Sequence, residues 1–178
     1  MIQSEKHQYF KQGQHNTCVL ASFAVAMSAL TNIKVDDYFK DYCLHFNLNI
    51  QNMYESYDYH FHPALTSTGK SGNQFVIDLF NNSEYSSFKL SREIVKVEYF
   101  EFQNRYVHFE NKLKTKNVVS TIFMNNEGHN IVVGCDIDYK YYWLETRDSP
   151  YNDTYIFKLN SLIDICSDFG DGILIELK

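Results

Sequence analysis

Proline and glycine are scarce in this chain, 2 and 7 of 178 residues, and no low-complexity tract appears. Lysine and arginine form no block, and the formal net charge is −6, so nucleic acid is not expected as a partner. A basic substrate is compatible with that charge. The four cysteines, Cys18, Cys43, Cys135 and Cys166, form no CxxC pair and lack zinc-ligand spacing. Neither a metal, a cofactor nor a disulfide framework is therefore expected, and a reducing compartment is the simpler reading. The apolar stretch from Cys18 to Leu30 is too short to span a bilayer. It lies behind the polar Gln12–Thr17 segment, unlike a signal peptide. The expectation is a cytoplasmic protein where it is synthesised, without membrane association, with export by a leaderless route left open.

What is present is a globular composition, 44% apolar and 16% aromatic over a length that suits one domain, 1–178, with a sizeable core. Val19, Phe23, Ala26, Met27 and Leu30 recur at helical spacing over Cys18–Leu30, with Thr17 as a candidate cap. A second helix is expected over Val35–Phe46 and a short one over Gln74–Phe80, with an irregular region over 47–72 between them. The period then changes. Ile94–Phe102 alternates, and Asn117–Met124, Gly128–Asp136, Lys140–Thr146, Thr154–Leu159 and Ile173–Leu177 read as strands. Arg105–Lys114 is plausibly helical, Ser161–Cys166 a short helix, and Gly170-Asp171-Gly172 a turn. Helices first and an antiparallel sheet after them make an α+β fold.

The most informative segment is Gln12-Gly13-Gln14-His15-Asn16-Thr17-Cys18, in which a glutamine precedes by six residues a cysteine that opens a helix. The thiolate is the nucleophilic form of cysteine, and both a helix N-terminus and an adjacent imidazolium favour it. Cys18 has the first device by position. His129, at a strand start in Gly128-His129-Asn130, is placed to supply the second and then to act as general acid. Gln12 can offer its amide to an oxyanion beside the Cys18 backbone N–H, a kind of donor worth about 100- to 1000-fold in rate. The imidazole needs an orienting carboxylate. A hairpin turn centred near Asp138–Tyr139 sets Asp148 opposite His129, and a tighter one near Ile137 sets Glu145 there. Asp148 is the preferred partner and Glu145 the alternative.

At these residues the chain resembles the papain-like superfamily of cysteine peptidases. QGQHNTCVLASFAV is similar to the papain-type QGxCGSCWAFSAV segment, matching Gln12 to the oxyanion glutamine and Cys18 to the nucleophile. GHNIVVGCDIDYKYYWLETRDS is similar to GHAVxVVGY…YWLxKNSW, matching His129 to the catalytic histidine. Asp148 falls one residue late against the family's Asn or Asp, and Glu145 two early. The C-terminal part is more like the bacteriocin-processing, C39-like branch. Val19 stands where an aromatic often follows the nucleophile, and Pro150 where a Trp follows the Asn or Asp. The resemblance implies a papain-like fold, with a helical half carrying the nucleophile, a sheet half carrying the histidine and its carboxylate, and a cleft between. It implies hydrolysis of a peptide or isopeptide bond in a peptide or protein substrate through a Cys18 thioester, by a monomer without cofactor. The same groups serve transglutaminases, deamidases and acyltransferases in related folds, and an inactive binding module is the third alternative.

Other residues have plainer readings beside the functional ones. His15, next to the nucleophile, and Trp143, on a strand beside the site, are candidate substrate contacts; a solvated loop residue and a core residue are the alternatives. His60 and His62 lack a third ligand at metal spacing. Gly69-Lys70-Ser71 lacks the upstream glycine of a phosphate loop, since Ala64 stands there. Cys43, Cys135 and Cys166 read as core.

Overall fold

A computed structural model of the chain describes residues 2–3, 6–8, 18–50, 70–104, 106–146, 156–159, 162 and 168–178. Helix α1, Cys18–Thr31, is buried along its whole length. Its sequence carries no charge, and a helix apolar all round belongs inside a core. Its hydroxyls are satisfied without water. Ser28 Oγ donates to the Val25 carbonyl and Thr31 Oγ1 to that of Met27, both at 2.9 Å, while Ser22 Oγ reaches the Asn130 carbonyl at 2.8 Å.

Three helices pack around α1: α2 (Val35–His45), α3 (Gly72–Asn82) and α4 (Ser86–Ile94). Asp36 and Asp37 favour the first turn of α2 through the helix dipole, and Gln8 Oε1 accepts from the Val35 N–H at 3.1 Å. Ser71 and Gln74 form a reciprocal capping box at the start of α3. Arg92 closes the other end of α3 by donating to the Phe80 and Ser83 carbonyls at 2.6 Å. Asp41 on α2 accepts from the Ser87 N–H at 2.6 Å, which puts a carboxylate at the N-terminus of α4.

Strands β1 (Val95–Glu101), β2 (Val118–Met124), β3 (His129–Cys135), β4 (Tyr141–Leu144), β5 (Ile156–Leu159) and β6 (Phe169–Leu177) form one antiparallel sheet in the order β1-β6-β2-β3-β4-β5. Val119, Val132, Leu144 and Ile173 face α1 and its neighbours. Ile122, Ile131, Val133 and Leu174 face the other way, against Phe109 and Leu113 of α5 (Tyr106–Leu113) and the short 3-10 turn Phe102–Asn104. The molecule is α+β, with its helices divided between the two faces of an antiparallel sheet. No helix among the described residues is long and apolar enough to cross a membrane.

Two elements differ from the sequence reading. Helix α4 fills a stretch where no element was expected. Strand β6 begins at Phe169, so Gly170-Asp171-Gly172 is strand and not turn. The reason is close approach: a Cβ on Gly172 would meet the Thr121 carbonyl oxygen at 2.3 Å and the Phe100 ring at 2.8 Å. The helix expected over Ser161–Cys166 and the irregular region between 51 and 69 lie outside the described residues.

The segment ahead of α1 is tied to both halves. Ile2 is buried in the α1 core, Gln8 binds α2, and His7 Nε2 meets the Tyr142 hydroxyl on β4 at 2.6 Å. Tyr142 pairs with Gly134, where an added Cβ would meet the tyrosine ring at 2.3 Å. The ring therefore occupies room that only glycine leaves. Burial pushes the His7 pKa from 6.5 down to about 4, opposed in part by the Val25 backbone. Below pH 6.5 the unfolded chain binds a proton that the folded chain refuses, so stability falls as pH drops from 6.5 towards 4. The shift corresponds to about 3 kcal/mol. In chemical denaturation, His7→Gln should lose stability less steeply than wild type over this window; parallel curves would refute the assignment.

Candidate active site

Two hairpins build the site. The first joins β2 to β3 through Asn125–Gly128, closed by the Gly128 N–H to the Asn125 carbonyl at 3.3 Å and by the pairing of Met124 with His129. Gly128 has φ +58°, and no atom lies within 4 Å of a Cβ built there. Another residue would pay only for the left-handed backbone, about 1 kcal/mol. This turn delivers His129 to the first position of β3.

The second hairpin joins β3 to β4. Tyr139 takes φ +58° in its turn, with the Tyr139 N–H on the Asp136 carbonyl at 2.9 Å and the Asp136 N–H on the Lys140 carbonyl at 2.8 Å. Val132 pairs with Leu144 and Cys135 with Tyr141. Continued by one pair, this register sets Glu145 opposite Ile131, two residues along from His129 on the same face. It falls between the two registers weighed from sequence, and Glu145 does not stand directly across from the histidine. Glu145 reaches it diagonally, a separation that long side chains span. His129 Nε2 is hydrogen-bonded to Glu145 Oε1, and the two form an ion pair when the imidazole is protonated.

Cys18 also interacts with the imidazole, and it and Glu145 both raise the imidazole's pKa. Cys18 is the first residue of α1, where the N–H groups of the opening turn lack partners within the helix and the dipole favours negative charge. The three residues are 9% (Cys18), 3% (His129) and 6% (Glu145) exposed. Burial pushes the His129 pKa down, but the hydrogen bonds to Cys18 and Glu145 and the charge on both outweigh it, and the net direction is upward. Cys43 and Cys135 differ. Burial pushes Cys43 up to about 11 and raises Cys135 as well, which keeps both as core thiols.

A second layer of polar residues lies behind His129. Ser22 and Asn130 are fully buried, and Asn73, at the start of α3, is 1% exposed. Asn73 Nδ2 donates to Asn130 Oδ1 at 3.2 Å and to the Asp171 side chain at 3.2 Å, and Ser71 Oγ donates to Asp171. Burial and then the Asp171 charge push Tyr99 up to about 12. None of these residues was read from the sequence as part of a site. The available signals were a serine four residues after Cys18 and an asparagine directly after His129.

Of the residues expected at the site, Cys18, His129 and Glu145 come together. Gln12, His15 and Asp148 lie outside the described residues, as do Thr17, Cys166, His60 and His62. Trp143 is half-buried against the α5-side core, two residues before Glu145 on the same face and paired with Val133. Ser71 serves as the N-cap of α3, and Lys70 pairs with Asp78. Among the described residues, no group of three or more His, Cys, Asp or Glu could hold a metal ion. The chain matches no known family model and no curated protein.

Since the folded-state pKa of His129 is raised from 6.5, its contribution to stability is complete below that pH and is lost as pH rises through the folded value. Glu145→Gln keeps the shape of the carboxylate but removes its charge. Its His129 resonance should titrate at lower pH than in wild type when followed by NMR. An unchanged midpoint would show that Glu145 does not act on the imidazole.

Proposed function

We propose that this protein is a cysteine peptidase of papain-like type that hydrolyses a peptide or isopeptide bond through a thioester on Cys18. The observation that carries this reading is the grouping of Cys18, His129 and Glu145, with His129 hydrogen-bonded to Glu145 and interacting with Cys18 at the N-terminus of a buried helix. The likeness of two short segments to papain-type motifs adds to it, as does the α+β architecture of helices on an antiparallel sheet.

The chemistry follows from the groups. His129 takes the Cys18 proton, and Glu145 stabilises the resulting imidazolium through Nε2. The thiolate attacks the substrate carbonyl carbon. The charge that develops on its oxygen faces the Cys18 backbone N–H, with the Gln12 amide as the second expected donor. Collapse of the tetrahedral adduct breaks the C–N bond, and the leaving amine carries away the proton from His129. Water then gives a proton to His129 and attacks the thioester, releasing the acid and returning the thiol. Each step uses side chains of this chain and water.

Cys18→Ala should abolish turnover of a peptide substrate while the circular dichroism spectrum is retained, and retained turnover would refute the reading. His129→Ala should slow turnover on the order of 100- to 10,000-fold. Intact-mass analysis after treatment with a thiol-directed electrophile near neutral pH should find Cys18 labelled ahead of Cys43 and Cys135, in a reaction that needs His129. If product analysis with added amine shows amine incorporation and no hydrolysis, the same triad serves acyl transfer instead.

A further inference from the structure

We propose that Ser22 is a positioning residue, whose hydrogen bond to the Asn130 carbonyl fixes where α1 lies along β3 and so sets the contact between Cys18 and His129. The inference rests on the Cys18–His129 pair described above.

Ser22 follows Cys18 by one helical turn, and residues four apart lie on one face of a helix. Asn130 follows His129 directly. The Ser22–Asn130 bond and the Cys18–His129 interaction thus link the same two elements, one turn apart along α1. A displacement of α1 that lengthens the first must change the second. Ser22 and Asn130 are both 0% exposed, so no bulk water competes for the carbonyl.

The other hydroxyls of α1 give the contrast. Ser28 and Thr31 donate to carbonyls of their own helix, the usual habit of a buried helical Ser or Thr. Ser22 instead donates across to the sheet. The apolar contacts that seat α1 on β3 are non-directional and resist burial loss more than small sliding. A directed bond of 2.8 Å resists sliding itself. The receiving residue is held from a second side, because Asn73 Nδ2 on α3 donates to Asn130 Oδ1 at 3.2 Å. Asn130 is therefore a fixed point against which Ser22 can register the helix.

The test is the rate at which iodoacetamide alkylates Cys18 in the full chain, followed by site-resolved mass spectrometry across pH 5–9. A free thiol is scarcely ionised at pH 6, so reaction there depends on the imidazolium partner. His129→Ala defines the profile without that partner. All rates are taken below the melting midpoint of every variant. Ser22→Ala should react about tenfold more slowly than wild type at pH 6, and its profile should move towards that of His129→Ala, since small misplacements at a reacting pair carry large rate penalties. Ser22→Cys, with nearly the same volume and a weaker donor, should fall between Ser22→Ala and wild type. It carries the test by itself if the alanine variant does not fold. A wild-type profile in either serine variant overturns the proposal. If His129→Ala also gives the wild-type profile, the Cys18–His129 pair itself fails and the positioning role falls with it.

Discussion

Every residue of α1 is buried, and the remaining structure is arranged around that condition. A helix with no solvent face cannot rotate to hide a poor fit, so each position must suit its neighbour. Alanines at 21, 24, 26 and 29 let the surrounding elements close in, while Phe23, Met27 and Leu20 fill what remains. The polar atoms must also find partners inside the protein, and they do so within the helix or on β3. The N-terminus of this helix is buried with the rest, and Cys18 is located there.

The buried pair of His129 and Glu145 costs desolvation that its attraction only partly repays, and an apolar pair of similar size would serve stability as well or better. The pair is nonetheless held at 3% and 6% exposure. The imidazolium it favours stands beside a thiol, whereas the other described thiols, Cys43 and Cys135, lie in surroundings that oppose ionisation.

Much of this was legible in the sequence, and the exceptions have physical causes. The apolar run of α1 and the alternating strands announce themselves because burial imposes a period on residue type. Helix α4 escaped notice because its buried side consists of Ser87, Phe88 and Ser91, so hydroxyls occupy positions where a pattern search expects apolar groups. They are buried because Ser91 Oγ joins the Tyr38 hydroxyl at 2.6 Å and the Ser87 N–H binds Asp41, partners that only the fold supplies. The orienting carboxylate was ambiguous for another reason. The β3–β4 register depends on a tyrosine in a left-handed conformation at position 139, which its residue type does not advertise. Cys18 and His129 could be paired from sequence because the chemistry of a thiol nucleophile restricts both residue type and place, and the structure brings the two side chains together. Ser22, Asn73 and Asn130 were not, since a buried hydrogen bond between distant segments leaves no spacing to read.

The bond between His7 and Tyr142 spans 135 residues, and that between Ser22 and Asn130 spans 108. Closing loops of this length costs entropy before such contacts can offset it. During synthesis, Cys18 emerges from the ribosome long before β3 and β4. A nascent chain that carries Cys18 but lacks these strands has neither His129 nor Glu145 beside the thiol, so the grouping exists only once both hairpins have been made.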